Sequence, residues 1–481
     1  MIFPPNCPWP RWPWTALTLG GGLLCAPAFA EPASTGAPGP PPAPQDRGDT
    51  YSLYADSTTV VSVFQRALQP GPAGARITTE TLAPVHEYVL LRLRDVDVPW
   101  AADSVDVELS AWGSAGPTDP RYERPADGDV TVAQVTHRFG PGSVKIGRQI
   151  VTAGAARFAH FDGLTLDARS EVSGGFGAGG TAYGGFTVLP YWSDRPGYAH
   201  LGTSFDTLVN SPEAFEDPSR SGNTMVGGRL FGWYADLAEL GLSLHDERTH
   251  SELGRRDAAL DALATPTDQL DLSLRTLLDL DTFRLSEALA AATVYPTDKL
   301  DVTLQYRRAT PALLMSRQSV LSVFAADKFD ELGAHARYRA TQRLTFDGSG
   351  HVELFREANA GVRASVSATA IPDPLRQVTI QVGVTRVVVP ENGYFALRLS
   401  GRYRPWQKLS FVGEQYVYVY DAAILGRATS AVESLNAQYS LLEGLELLVG
   451  GSAFQTPYAS NDTQALVKLE YRVDRLQGAQ P

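Results

Sequence analysis

The feature that most constrains this chain is a two-residue alternation of apolar and polar side chains, renewed again and again between residues 58 and 473. Leu300, Val302, Leu304 and Tyr306 alternate with Asp301, Thr303, Gln305 and Arg307. Val378, Ile380, Val382 and Val384 alternate with Thr379, Gln381, Gly383 and Thr385, and Ala465, Val467, Leu469 and Tyr471 with Lys468, Glu470 and Arg472. Successive strand side chains point to opposite faces, so each segment has one apolar and one polar face. A soluble sandwich shows the same pattern. Three features separate the readings. The segments run to about 10–13 residues, the length a tilted strand needs to cross a membrane, whereas soluble strands average about 5–6. Aromatics (Tyr295, Tyr306, Tyr338, Tyr403, Tyr439, Tyr471) recur at the ends of the apolar stripes, where interfacial girdles belong. Some connections are short and others long, like the two ends of an outer-membrane barrel. The sequence therefore predicts an all-β, antiparallel, up-and-down transmembrane barrel.

A weak repeat marks the short turns: an aromatic, a few turn residues, then leucine. It reads Tyr295 to Leu300, Tyr338 to Leu344, Tyr403 to Leu409 and Tyr439 to Leu445, with Tyr234 to Leu240 as a fifth. Candidate strands after residue 299 lie near 299–308, 331–340, 343–355, 361–370, 376–388, 394–404, 408–420, 428–440, 444–456 and 463–473. Upstream they lie near 58–68, 85–95, 104–112, 130–138, 143–151, 163–169, 180–189, 224–234, 238–247, 268–278 and 283–294. The parity fails between the turns at 236 and 297, which come out at opposite ends, so one strand there is missing or overcounted. A single-chain bacterial barrel has an even number of strands, and about 18 strands, within 16–20, are expected.

The first residues read differently. An apolar run from Trp14 to Cys25 follows Arg11 and precedes Ala28-Phe29-Ala30, which predicts an export leader at 1–30 cut after Ala30. Residues 31–50 are a Pro/Ala-rich disordered linker, 51–476 the barrel and 477–481 a tail. Both cysteines, Cys7 and Cys25, lie in the leader, so the exported chain has no disulfide and no thiolate metal site. A net charge of −12 leaves no basic surplus for nucleic acid.

Several clusters resemble chemistry. Gly174 to Gly180 contains a formal G-x-G-x-x-G, but Thr181 to Phe186 continue as strand where a nucleotide loop needs a helix. His245 to His250 reads as a hydrated extracellular loop, because i,i+5 spacing places the two histidines on no common face. His137, His160, His335 and His351 are scattered, and no cofactor or metal is expected. The polar faces carry Arg92, Arg94, Arg275, Arg307, Arg337, Arg339, Arg363, Arg398, Arg402, Asp271, Asp301 and Glu353. On the lipid side such charges cost about 2–4 kcal/mol each near mid-bilayer, so these residues are expected to line the lumen. Residues 309–330 are apolar enough to fold inward as a constriction, or to add a strand. Tyr416, Tyr418 and Tyr420 read as part of the outer girdle, or as a stacking track for sugars if they face inward.

The stretch Val144-Lys145-Ile146-Gly147-Arg148-Gln149, then Arg157-Phe158, then Phe161-Asp162-Gly163-Leu164, resembles the Gly-Arg-Gln … Phe-Asp-Gly signature of alginate-export-type, porin-like outer-membrane barrels. The resemblance covers residues 144–164 and implies an 18-stranded barrel and passage of a polysaccharide, with this segment building the wall. The chain departs from the pattern at its end, where Asp474 to Pro481 follow the last aromatic, Tyr471. The expected function is an outer-membrane, porin-like channel for polar solutes, with polysaccharide export as its finer form and no catalysis. The alternatives are a structural barrel anchoring an envelope assembly and a barrel hydrolase with a Ser/His or Asp/His pair at its rim. Expected partners are outer-membrane lipid and lipopolysaccharide, the barrel-assembly machinery, and polysaccharide or periplasmic export proteins.

Overall fold

The structure, a computed structural model, describes residues 51–69, 78–96, 104–116, 126–188, 222–249, 252–314, 328–355, 360–373, 375, 377–389, 392–457 and 462–477. The expected leader and linker lie outside these residues. The chain divides into Met1–Gly48 and Asp49–Pro481, and everything described belongs to the second unit.

The wall opens with β1 (Tyr51–Gln69), β2 (Thr78–Leu82), β3 (Val85–Val96), β4 (Val105–Ala115), β5 (Ala126–Phe139) and β6 (Gly142–Val151). It continues with β7 (Ala159–Ser173), β8 (Phe176–Thr187), β9 (Thr224–Tyr234), β10 (Ala238–Thr249), β11 (Glu252–Thr267) and β12 (Leu270–Asp279). Then come β13 (Arg284–Thr297), β14 (Leu300–Ala309), β15 (Phe329–Thr341), β16 (Leu344–Phe355), β17 (Gly361–Ala370) and β18 (Val378–Val388). β19 (Tyr394–Trp406), β20 (Leu409–Ile424), β21 (Arg427–Leu442), β22 (Leu445–Gln455) and β23 (Asp462–Gln477) complete it. Each strand pairs antiparallel with its sequence neighbour, and β23 pairs with β1 from Tyr51↔Gln477 to Val63↔Ala465, which closes the barrel. β2 and β3 are one wall strand interrupted at Pro84, which has no N–H for the ladder, so the wall has 22 strands.

The expected 18 is therefore corrected to 22. The parity fault has a single source, the unrecognised strand β11. With it in place, the turns near 236 and 297 fall at the same end. The last strand also runs four residues beyond Val473, so Gln477 is wall and not tail.

One face of the wall carries large exposed apolar side chains, among them Leu240, Leu242, Leu244, Leu304, Leu332, Val366, Leu397, Leu399 and Leu435. The other carries ion pairs along the length of the strands, such as Arg92–Glu108, Arg337–Asp347 and Arg398–Glu414, and so lines the lumen. The outward apolar run has a consistent end. Leu240, Leu242 and Leu244 are followed by Asp246, which pairs with Arg256 at 2.7 Å. Val302, Leu304 and Tyr306 are followed by Arg308, 3.8 Å from Asp330. Ile380, Val382 and Val384 are followed by Arg386, bonded to both carboxylate oxygens of Asp421 at 2.6 and 2.8 Å. About eight residues separate these charges from the short turns. At ~3.3 Å per residue and a tilt near 40° that is roughly 20 Å of apolar height, close to the ~25 Å of an outer-membrane barrel.

Tyr234, Tyr338, Tyr403, Tyr439 and Tyr471 stand on the outward face at the short-turn end. Tyr306 is outward at the opposite, charged edge, where its hydroxyl donates to Asp330 at 2.6 Å. Tyr295 does not belong to the girdle, because its hydroxyl donates to Asp271 on the lumen face at 2.8 Å.

Candidate functional site: the lumen wall

The sequence pattern that builds the wall also builds the site, because every second side chain of 22 strands points inward. All twelve polar-face residues named above share the lumen face with the ion pairs. Arg92 bonds Glu108 at 2.8 Å, and Gln134 reaches the other oxygen of Glu108 at 2.9 Å. Arg337 and Asp347 are 2.7 Å apart, Arg339 and Asp301 3.1 Å, and Arg398 and Glu414 3.0 Å. Glu331 accepts from His351 at 2.9 Å and from Gln305 at 3.2 Å, with Arg363 3.9 Å away and Glu353 beyond it. Arg307 lies over the ring of Phe329 at 5.6 Å. Among the described residues, Arg94 and Arg402 make no ion pair. The arginines are not packed into a filled interior. Arg337, Arg363 and Arg398 keep 48, 47 and 41% of their side-chain surface exposed.

One connection folds onto this wall. Residues 152–158, between β6 and β7, form a single 3-10 turn at Gly154–Ala156 that packs against β9, β10 and β11. Ala155 and Ala156 are fully buried, one against Ala259 and Leu277, the other among Val151, Phe161, Tyr183 and Met225. Small residues allow this approach. A Cβ on Gly154 would stand 2.1 Å from the Ser243 hydroxyl, and its φ of +52° also favours glycine. Three polar contacts pin the turn: the Ala155 N–H donates to Ser243 Oγ at 2.7 Å, Arg275 donates to the Gly154 carbonyl at 3.3 Å, and Arg157 pairs with Glu287 at 2.8 Å. Arg157 holds a positive φ of 39°, a conformation that costs on the order of 1–3 kcal/mol and persists only where the surroundings fix it. Ser243, Arg157 and Glu287 are site residues that the alternation alone did not single out; the sequence signals for the turn are Arg157-Phe158 within the resemblance and the run Ala153-Gly154-Ala155-Ala156.

The described part of 309–330 is less than a constriction. Ala309 ends β14, Pro311–Leu314 make one 3-10 turn whose Leu314 packs on the Ala155–Leu277 cluster, and 315–327 lie outside the described residues. His245 is corrected as well. It is not in a hydrated loop but in β10, 3% exposed, with its Nδ1 2.9 Å from the Tyr183 hydroxyl. The Gly-rich run is a hairpin turn, Gly174 and Gly175 at φ +59° and +83°, leading into β8.

The Gly-Arg-Gln and Phe-Asp-Gly segments face each other residue for residue: Gly147↔Gly163, Arg148↔Asp162, Gln149↔Phe161. Arg148 grips Asp162 through two bonds of 2.8 and 2.9 Å and reaches Asp129 at 2.9 Å and the Val130 carbonyl at 2.8 Å. It shares the outward face with Ile146 and Leu164, so it clamps three strands from outside the lumen. Gly147 and Gly163 are needed because a Cβ at either would meet a neighbouring carbonyl oxygen at 2.1 or 2.2 Å. Replacing Arg148 by lysine keeps the charge but loses the planar fork. The expected cost is about 2–3 kcal/mol of barrel stability, read as a lower denaturant midpoint with unchanged slope.

The tyrosine stripe is the largest reassignment. Tyr416 pairs in register with Arg398 and Tyr418 with Ala396, while the intervening Val417 and Val419 pair with Leu397 and Phe395 on the lipid face. Tyr416, Tyr418 and Tyr420 therefore face the lumen and are not a girdle.

No family model and no curated protein sequence matches the chain. Among solved structures, it is similar to the outer membrane protein OprD from Pseudomonas aeruginosa, at 9% identity and TM-score 0.40, over 90% of this chain and 96% of that one. It is similar to OccAB4 of Acinetobacter baumannii at 7% identity and TM-score 0.41, over 89 and 99% of the two chains. The P pilus usher (PapC) translocation pore gives 8% identity and TM-score 0.45, over 87 and 99%. At TM-scores below 0.5, none of these likenesses fixes a function for this chain.

Proposed function

We propose that the chain is an outer-membrane channel for polar solutes. The observation that carries this reading is the lumen wall, which is lined with half-exposed, hydrogen-bonded charge inside a barrel whose outer face is apolar. With strands ~4.8 Å apart and tilted about 40°, a circular wall of 22 strands would measure roughly 45 Å across its backbone. Side chains filling about 6 Å from each side leave an aqueous passage. Selectivity comes from the wall charges and from whatever narrows the bore, in the manner of other channels. Residues 152–158, with Leu314 packed against them, are the described segments that lie on the lumen wall to do so. Saccharide transport is the finer reading, supported by the inward tyrosines and by the resemblance at 147–163. Outer-membrane lipid, lipopolysaccharide and the barrel-assembly machinery are the partners such a wall would meet.

Liposome swelling tests the reading. Proteoliposomes should swell in neutral sugars at rates that fall gradually from mono- to tetrasaccharide. Rates equal to protein-free liposomes, for a barrel shown to be folded, would contradict it.

A further inference from the structure

We infer that Tyr394, Tyr416, Tyr418 and Tyr420 form a binding strip for uncharged saccharide rings on the lumen wall. The inference rests on the channel reading and gives it a substrate class. The four rings occupy the upper lumen face of β19 and β20. Tyr416 and Tyr418 are parallel within 9°, with centroids 6.4 Å apart. Tyr394 stands edge-on to Tyr418 at 5.7 Å and to Tyr420 at 6.5 Å, forming a corner. Ser430 shares a hydrogen bond of 3.0 Å with the Tyr420 hydroxyl and so fixes that ring. Tyr416, Tyr418 and Tyr420 repeat every second residue, so the strip extends about 13 Å along the strand.

Aromatic side chains on a half-water-filled wall need a reason. As membrane anchors they would stand outward, where Val417 and Val419 are. As core they would be buried, yet all four are only partly covered. A sugar ring has an apolar C–H face and a hydroxyl edge, and a tyrosine offers the matching pair of an apolar face and a polar tip. Polar groups beside the strip complete the chemistry. The Arg398 guanidinium lies 5.3 Å over the Tyr416 ring and is neutralised by Glu414 at 3.0 Å. Ser400 and Gln381 continue the hydrogen-bonding surface below. The charges beside the rings are thus balanced, which suits hydroxyl recognition and gives an acidic sugar no net attraction at this level of the wall. A few placed polar groups around an aromatic platform are the usual means of orienting a ligand.

Single-channel recording in planar bilayers tests the inference, with three probes: a neutral gluco-hexasaccharide, a hexauronate, and a polyethylene glycol of similar size. The neutral hexasaccharide should produce resolved blockades that the polyethylene glycol does not. In Y416A/Y418A, the concentration for half-maximal block should rise about tenfold, because each lost ring contact is worth about threefold to tenfold. Y418F, which keeps the ring, should stay within about twofold. If the double variant fails to fold, Y418A alone should show about a threefold rise. Blockade by the hexauronate alone, or an unchanged Y416A/Y418A, would overturn the strip and leave the channel standing. Absence of any conductance from the folded barrel would overturn both.

Discussion

Replacing Glu287 by alanine is expected to turn one open-channel conductance level into two that interconvert. Glu287 is 6% exposed and holds Arg157 at 2.8 Å, with Arg275 at 4.0 Å on its other oxygen. Its removal leaves two guanidinium groups, each about a third exposed, with no carboxylate between them. Losing such a partly solvated, charge-assisted contact costs about 1.5–3 kcal/mol. That free energy falls on a short segment already carrying the unfavourable backbone of Arg157. A loss of about 2 kcal/mol shifts a seated-to-released equilibrium by about 30-fold. The Ser243 bond and the buried alanines remain, so the segment is expected to exchange between the two positions. The released position should conduct more, and protease cleavage near 152–158 should rise with it. A single unchanged level in E287A would show that the segment does not bound the path.

The second large effect concerns the outer face. Leu242 stands halfway between the short turn and Asp246, paired with Leu230 and Leu260. Leu242→Arg is expected to lower barrel stability by about 2–4 kcal/mol, because the cation would face mid-bilayer lipid. Ser434 lies five residues from the girdle residue Tyr439, much as Leu242 lies four from Ala238, the partner of Tyr234, but it pairs with Glu414 on the lumen face. Ser434→Arg is expected to cost less than 0.5 kcal/mol, the usual range for solvent-facing changes. Refolding into detergent micelles or vesicles, followed by denaturant titration, gives both values. Equal costs at the two positions would contradict the assignment of faces.

The alternation made most of the wall readable, and its failures have physical causes. β11 escaped because its outward residues are Ala258, Leu260, Ala262 and Ala264, while Leu263 points inward with Asp261 and Ala259. Weakly apolar alanines on one face and a leucine on the other erase the two-residue signal. The tyrosine stripe has the opposite fault, with apolar groups on both faces, so periodicity could not choose between them. Only the register against Arg398 decides it. The segment 152–158 carried a motif fragment, Arg157-Phe158, but its packing on the wall was not readable. Its contacts to Ser243 and Glu287 span 88 and 130 residues of sequence, a separation that no local pattern records. Arg148 and Asp162 carried their own signal as a motif, and cross-strand pairing gives that motif its meaning.

The measurement that bears most directly on the account is single-channel conductance of the refolded barrel in a planar bilayer with simple salt. A water-filled lumen lined by exposed, paired charge predicts discrete openings whose current is linear in voltage and scales with bulk salt conductivity. Electrical silence from a barrel proven folded by its β-sheet spectrum and heat-modifiable gel mobility would contradict the open channel.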